Sequence, residues 1–142
     1  MQNLCDVDCL MALVHGRHQH HLGAARWIEG LQKEGDVGIA RPTQVAVLRL
    51  SNNPAVMGVD VCTGREVWAA FDRMMKDSRM TIVAEPLGLE AILRRFTEKL
   101  KHSPKVWSDA YLAAFAIASG RTLVTFDRGF RAYPGLDVEV LG

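Results

Sequence analysis

The order of apolar segments along the chain predicts an α/β fold, with a mostly parallel central sheet flanked by helices. Short segments rich in β-branched residues alternate with longer segments whose apolar residues recur at helical spacing. Strands that alternate with helices in this way usually form a parallel sheet covered on both faces. No repeat, low-complexity tract or Pro/Gly/Ser-rich linker divides the 142 residues. We therefore expect a single domain over residues 1–142.

Individual segments justify that fold class in chain order. The predicted strands cover residues 4–6, 37–40, 81–84, 122–126 and 138–141. The predicted helices cover residues 9–14, 21–33, 43–51, 67–75, 87–101 and 109–119. Thr43 and Ser108 stand at expected N-caps, Thr63 and Glu66 have the spacing of a capping box, and Gly120 is placed to end the most apolar helix.

Composition excludes several classes of protein. The chain is 49% hydrophobic and 23% charged, which is typical of a globular protein and not of a disordered or fibrous one. Its 17 Lys and Arg against 16 Asp and Glu give a net charge of +1, so overall charge does not indicate a nucleic-acid binder. Three cysteines without a CxxC pair argue against a disulfide framework and a zinc ribbon. The absence of a long apolar run predicts a cytoplasmic protein that does not enter a membrane.

Three acidic residues occupy positions where ligands bind in parallel sheets. Asp6 and Asp127 each end a predicted strand, and Asp109 begins the most apolar helix. The carboxyl ends of parallel strands meet at one edge, so we expect these carboxylates to converge there. Converging carboxylates repel one another unless a cation lies between them, and oxygen ligands suit Mg²⁺ or Mn²⁺. Taken singly, Asp109 also suits a helix dipole and Asp127 a turn.

Four segments resemble, in order, the four motifs of PIN-domain ribonucleases. They read LCDVDCLMAL at 4–13, RPTQ through LRLSNNP at 41–54, SDAYLAA at 108–114 and LVTFDRGF at 123–130. The closing YPGL at 133–136 also fits. The resemblance spans nearly the whole chain and is strongest to the single-domain VapC-like toxins of toxin–antitoxin modules.

This resemblance carries expectations about fold, chemistry and partners. It implies a three-layer fold with a parallel sheet between helices, an Mg²⁺ or Mn²⁺ cofactor, an RNA substrate and a small antitoxin that occludes the site. By position, Asp6, Asp109 and Asp127 match the metal-binding and catalytic acids. Thr125 matches the hydroxyl residue that supports the last of these acids.

Two positions depart from the family pattern. Gln44 stands where many members carry Glu, and Asp8 stands where Asn often follows the first acid by two residues. Gln44 can lend a carbonyl oxygen but brings no charge. Asp8 either restores the lost charge at the metal or caps the following helix. Asp8 and Gln44 are therefore two further candidate metal ligands.

Basic residues and histidines give weaker indications. Arg49, Arg128 and Arg131 lie close to the motif positions and are candidates for binding RNA phosphates. A second basic run is expected to be the outer face of a helix, and comprises Arg94, Arg95, Lys99, Lys101 and Lys105. His15, His18, His20 and His21 suggest zinc, but without a sulfur ligand or an HExxH frame they fit a solvated loop and helix start better. A minor alternative places them against RNA near the mouth of the site.

Partners and rival functions complete the sequence-based hypotheses. Helices 22–31 and 67–75 carry many large apolar residues, which predicts a homodimer and an antitoxin whose basic side chain reaches the acidic pocket. One rival is a haloacid-dehalogenase-type phosphatase, with Asp6 as nucleophile and Asp8 as acid/base. The other is a degenerate PIN domain, disabled at Gln44, that acts as an RNA-binding or interaction module.

Overall fold

A computed structural model describes residues 2–142 and contains one five-stranded sheet. The strands are β1 (Asn3–Cys5), β2 (Val37–Ala40), β3 (Met80–Val83), β4 (Thr122–Thr125) and β5 (Val138–Val140). Their order across the sheet is β3-β2-β1-β4-β5, and every neighbouring pair is parallel. The predicted parallel sheet is confirmed. The central strand β1 pairs with β4, so residues 3–5 and residues 122–125 lie side by side in the middle of the sheet.

Helices cover both faces of the sheet. They are α1 (Val7–Val14), α2 (His21–Glu29), α3 (Arg41–Ser51), α4 (Pro54–Met57), α5 (Gly64–Met75), α6 (Leu89–Thr97) and α7 (Val106–Ser119). Short 3₁₀ helices cover Gly58–Asp60 and Arg128–Ala132. None of the helices within residues 2–142 is long and apolar enough to cross a membrane.

Two apolar cores lie on the opposite faces of the sheet. Successive strand residues point to opposite faces, so Cys5 and Val124 join one core with α1, α3 and α5. Leu4 and Leu123, their neighbours in sequence, join the other core with α6 and α7. The three central strands β1, β2 and β4 are almost continuously buried, as a parallel sheet between two helical layers requires, whereas the edge strands β3 and β5 are only partly buried. This arrangement confirms the expected three-layer fold.

The starts of two helices differ from prediction. Helix α3 begins at Arg41, with Ala40 as N-cap and no side-chain cap, so Thr43 lies inside the first turn and is buried. Pro42 suits this earlier start because proline lacks the N–H that a first turn leaves unpaired. Helix α7 begins at Val106 with Lys105 as N-cap, so Ser108 is not its cap. Both predicted caps were wrong by three residues.

Most other local predictions hold, although one helix is shorter than expected. Thr63 and Glu66 form the reciprocal capping box of α5, with N–H···O distances of 3.2 and 2.9 Å. Gly120 ends α7 in the left-handed region at φ 67°, where a side chain is disfavoured. Helix α6 is shorter than predicted and begins after Gly88, whose φ is 86°. The three cysteines are free, and Cys5 and Cys9 are buried in the core.

Candidate active site

Asp6 lies at the junction between β1 and α1. It is the N-cap of α1, and its Oδ1 accepts the backbone N–H of Cys9 at 2.8 Å. Only 6% of the residue is exposed, although carboxylates are rarely buried without partners. The junction therefore holds a buried carboxylate at the carboxyl edge of the central strand.

Thr125 joins the first acid to the last. It ends β4, the neighbour of β1 in the sheet, and its hydroxyl donates to Asp6 Oδ2 at 2.5 Å. The Oγ1 of Thr125 also accepts the backbone N–H of Asp127 at 2.9 Å. The sequence predicted that Thr125 supports Asp127, and the structure adds a direct contact with Asp6. A hydroxyl that donates in one direction and accepts in the other fixes the separation of these two positions.

One large cavity brings the acids together. Its volume is 1120 Å³, and its lining includes Asp6, Asp8, Asp109 and Asp127. Asp109 reaches it from the first turn of α7 and is half-buried, whereas Asp8 and Asp127 are exposed. The Oδ1 of Asp127 also accepts the backbone N–H of Gly129 at 2.8 Å, so this residue stabilises a turn as well. The structure thus brings Asp6, Asp109 and Asp127 to one cavity, as expected from the sequence.

The carboxylates perturb one another's ionisation. Burial raises the pKa of Asp6 to about 6, the hydrogen bonds from Thr125 and Cys9 oppose the rise, and the charges of Asp8 and Asp109 add to it. The pKa of Asp109 is raised by burial and then by Asp127. The ionised forms of Asp6 and Asp109 are thus destabilised by burial and by the charges of neighbouring carboxylates. A bound cation would relieve both effects.

The donor set fits a hard divalent cation. Carboxylate oxygens, with a hydroxyl behind them, are the ligands that Mg²⁺ and Mn²⁺ prefer. Within residues 2–142, no three His, Cys, Asp or Glu side chains stand close enough together to form a ready-made metal site. The fit therefore rests on the chemistry of the donors and on their electrostatic coupling.

Gln44 and the three candidate phosphate-binding arginines lie outside the acidic cavity. Gln44 is buried, its Oε1 accepts Nη1 of Arg41 at 2.5 Å, and it does not line the acidic cavity. Arg49 lines a separate groove, and Arg128 and Arg131 are exposed on the 3₁₀ helix after β4. Of the two further ligand candidates, the structure brings only Asp8 to the acids. The carbonyl oxygen that Gln44 could lend to a metal is instead hydrogen-bonded to Arg41, three residues earlier on the same helix.

The four histidines have separate partners. His15 contacts Ser51 Oγ at 2.7 Å, and His18 contacts Asp8 Oδ1 at 3.1 Å. The ring of His20 stacks on Phe126 with centroids 4.2 Å apart, and Nδ1 of His21 lies 2.7 Å from the carbonyl oxygen of Ala12. The imidazoles are half-buried and do not form a fully solvated loop, and no three-ligand metal group is found in the described chain. His15 and His18 line the acidic cavity, as the minor alternative placed them.

The second basic run is an outer surface. All five of its residues, Arg94, Arg95, Lys99, Lys101 and Lys105, are exposed. Arg94 Nε lies 3.5 Å from the Glu90 carboxylate one helical turn away, and the Arg95 guanidinium lies 5.6 Å from the Phe96 ring centroid. Arg94 and Arg95 lie on α6, whereas Lys99, Lys101 and Lys105 follow its end at Thr97, so the expected outer helix face holds for two of the five residues.

Further residues border the acidic cavity without a clear signal in the sequence. Asp60 and Glu66 line it, and Arg17 forms an ion pair with Asp60 at 3.4 Å near the same cavity. The capping box accounts for the position of Glu66 in the sequence, so its spacing gave no indication that it borders the cavity. The pKa of Tyr133 is raised by burial and by the charges of Asp109 and Asp127. The YPGL segment was the only sequence signal for that residue.

Comparison with known proteins assigns this geometry to a family. Residues 4–136 match the sequence profile described as PIN domain. The chain is 40% identical to Ribonuclease VapC41 of Mycobacterium tuberculosis, over 97% of each chain. It is 30% identical to Ribonuclease VapC44 of the same species, over 95% of this chain and 94% of that one.

Solved structures share the fold at low sequence identity. VapBC2 from Rickettsia felis, crystallised with a promoter DNA fragment, has a TM-score of 0.68 and 14% identity, and covers 100% of both chains. VapC20 of M. tuberculosis, described as a toxin that cleaves the sarcin–ricin loop, has a TM-score of 0.67 and 17% identity over 99% and 100% of the two chains. A toxin–antitoxin complex from Klebsiella pneumoniae has a TM-score of 0.63 and 19% identity over 98% and 97%. Profile, identity and fold agree, and the chain belongs to the PIN domain family.

Proposed function

We propose that this protein is a metal-dependent endoribonuclease, the toxin component of a toxin–antitoxin module, that hydrolyses RNA phosphodiester bonds in the acidic cavity. The observation that carries this proposal is the convergence of Asp6, Asp109 and Asp127 on one cavity, with Thr125 bonded to both Asp6 and Asp127. Family membership supports the nuclease activity, and both curated relatives bear the name ribonuclease. The proposed catalytic unit is a single domain.

The chain's own residues define what the site does. Asp6, Asp109 and Asp127, with Asp8 beside them, would hold Mg²⁺ or Mn²⁺. When bound, the cation activates water and stabilises the charge that develops on the phosphate and the leaving oxygen. Thr125 holds the Asp6 carboxylate in a fixed orientation, which preserves the donor geometry before any ligand arrives.

The rival functions lose their main supports. Each oxygen of the Asp6 carboxylate is already hydrogen-bonded, Oδ1 to Cys9 and Oδ2 to Thr125, which is unfavourable for a free nucleophile. The family match favours the nuclease interpretation of Asp6 and Asp8 over the phosphatase one. Gln44 lies outside the acidic cavity, so its lack of charge gives no reason to treat the site as disabled.

Cleavage assays test the proposal directly. Purified protein should cleave single-stranded RNA with Mg²⁺ or Mn²⁺, lose activity in EDTA and regain it when metal is added back. Asp109→Asn and Asp127→Asn should abolish cleavage while leaving the melting temperature unchanged or higher, because each removes a repelling charge. Asp72→Asn, an exposed acid of α5 outside the cavity, is the matched control. Full activity in both cavity variants would refute the proposed site.

The proposal includes two protein partners. Several apolar side chains remain exposed, notably Val59 at 91% and Trp68 at 49%. We propose that such surfaces serve a homodimer and an antitoxin, whose basic side chain would be attracted by the four aspartates. Light scattering at high micromolar concentration and purification with the neighbouring gene product test these assemblies. A strict monomer without a co-purifying partner would contradict both, and the cytoplasmic location stays a prediction.

A further inference from the structure

A second groove lies beside the acidic cavity. This side groove has a volume of 510 Å³, and its distinctive wall residues are Thr43 and Arg49 of α3, Leu93 of α6, and Trp107 and Tyr111 of α7. That volume lies within the range of roughly 300–1,000 Å³ that is usual for small-ligand sites. Most of the wall is apolar, so the groove suits a flat, weakly polar group.

The side groove and the acidic cavity share a wall. Val7, Leu50, Ser108 and Leu112 line both of them. Ser108 directly precedes Asp109, the acid that reaches the cavity from α7. A polymer whose backbone is cleaved beside Asp109 would therefore place its neighbouring unit at the entrance of the side groove.

The side groove contains a buried hydroxyl without a partner. Thr43 is 1% exposed, and its Oγ1 has no hydrogen-bond partner among residues 2–142. A buried polar atom left unpaired destabilises a protein, so such atoms often indicate a ligand or a functional constraint. One torsion separates this hydroxyl from the backbone, so its orientation can change without any movement of α3.

The rim of the groove offers an aromatic ring and a cation. Trp107 is 50% exposed, although buried positions are usual for a residue with so much apolar area. The hydroxyl of Tyr111 is held by the Glu85 carboxylate at 2.7 Å, which leaves its ring as part of the wall. Arg49 is exposed and has no ion pair with any acid of the described chain. Its guanidinium is therefore available to an anionic ligand.

We propose that the side groove binds the base of the nucleotide next to the scissile bond of a single-stranded RNA. The base stacks on Trp107, its edge bonds to the Thr43 hydroxyl, and Arg49 binds the adjoining phosphate. Single-stranded RNA is commonly recognised by aromatic stacking combined with hydrogen bonds to the base edge. This inference rests on the proposed ribonuclease function, and it makes Thr43 a determinant of sequence preference.

A nucleobase fits the groove better than an apolar protein side chain does. A leucine or phenylalanine from a partner would cover the apolar wall but would leave the Thr43 hydroxyl buried and unpaired. A base presents a flat apolar face together with donors and acceptors at its edge. The shared wall with the acidic cavity also favours a ligand continuous with the cleaved strand.

The test compares cleavage profiles in a random-sequence RNA pool. Wild-type protein, Thr43→Val and Trp107→Ala are incubated with the pool and Mg²⁺, and the cut ends are sequenced. Thr43→Val should reduce base preference about five-fold at one position beside the cut, the value of a single hydrogen bond, while its melting temperature stays equal or rises. Trp107→Ala should raise KM about ten-fold with little change in kcat. Leu87→Ala, which removes a 97% exposed apolar side chain just before α6 and outside both cavities, should change neither.

Each outcome separates this inference from the proposed function. Identical cleavage profiles and KM values in all four proteins would overturn the side-groove assignment and leave the nuclease intact. If Trp107→Ala instead turns a dimer into a monomer without changing the profile, a second copy of the chain covers the groove and the inference is wrong. If wild-type protein cleaves no RNA, anisotropy of a labelled random octanucleotide decides: binding must weaken in Trp107→Ala and not in Leu87→Ala.

Discussion

Helices α1 and α3 follow adjacent strands of the same sheet but begin in different ways. α1 begins with Asp6, whose carboxylate caps the helix, bonds to Thr125 and faces the acidic cavity. α3 begins after Ala40 without a side-chain cap, and its polar residue Gln44 bonds to Arg41 on its own helix. The carboxyl edge of the sheet is thus chemically divided. The acids gather at β1, β4 and α7, while the start of α3 borders an apolar groove.

Among changes at the two helix starts, replacing Asp6 should have the largest effect on activity. Asp6→Asn removes the most buried carboxylate of the cavity, and we expect cleavage to fall at least about 100-fold, or roughly 2.7 kcal/mol of transition-state stabilisation. Single-turnover cleavage of a labelled RNA at saturating Mg²⁺ measures it, with Asp72→Asn as control. Activity within ten-fold of wild type would mean that the start of α1 contributes no more to cleavage than the start of α3 does.

The same carboxylate should make the metal-free protein sensitive to pH. The pKa of folded Asp6 is about 6, above the value of 3.8 expected for an exposed aspartate. Protonated Asp6 therefore contributes about 3 kcal/mol to the free energy of unfolding. This contribution is fully present below pH 3.8 and is lost as the pH rises through 6. In EDTA, Asp6→Asn should be more stable than wild type at pH 7.5, and the difference should shrink towards pH 4.5. Urea unfolding at both pH values measures this, and a pH-independent difference would contradict it.

Removing the Thr125 hydroxyl should have an intermediate effect. Thr125→Val leaves Asp6 Oδ2 and the Asp127 N–H without their shared partner, and we expect a loss of about 1–3 kcal/mol in unfolding free energy. Cleavage should fall roughly 10- to 100-fold, because the variant loosens the orientation of a metal-binding group. Thr125→Ser keeps the hydroxyl and should restore most of the activity. Equal defects in both variants would point to packing of the methyl group instead.

The smallest effect is expected at Gln44. Gln44→Glu places a carboxylate beside Arg41 and outside the acidic cavity, so Mg²⁺ affinity should change less than about two-fold. Asp8→Asn changes a residue that lines the cavity and should weaken binding several-fold, roughly 1 kcal/mol. Calorimetric titration of wild type and both variants with Mg²⁺, and with Mn²⁺ in its place, measures these two changes in affinity. A marked gain in affinity for Gln44→Glu would show that α3 takes part in the metal site after all.

The sequence predicted the strand and helix order well because it depends on local patterns. Asp6 and Asp127 follow β-type runs, and the edge of a parallel sheet brings such positions together whatever the loops do. The start of α3 was missed because capping preference favoured Thr43, whereas the extended backbone of Ala40 and the fixed φ of Pro42 allow an earlier first turn. The bond between Gln44 and Arg41 depends on rotamers, which no spacing reveals. The contact between Thr125 and Asp6 requires knowing that β4 pairs with β1.

The pairing of β1 with β4 also orders events during synthesis. The hydrogen bond between Thr125 and Asp6 spans 119 positions of the sequence, and β1 has no partner on that side until β4 arrives. Contacts between such distant residues form late because closing so long a loop costs entropy before it gives any stabilisation. A ribosome-bound chain lacking β4 would therefore present Asp6 without Thr125 or Asp127. If the acidic cavity cleaves RNA as proposed, a nascent chain without β4 would lack the complete site and would not yet cleave the RNA around it.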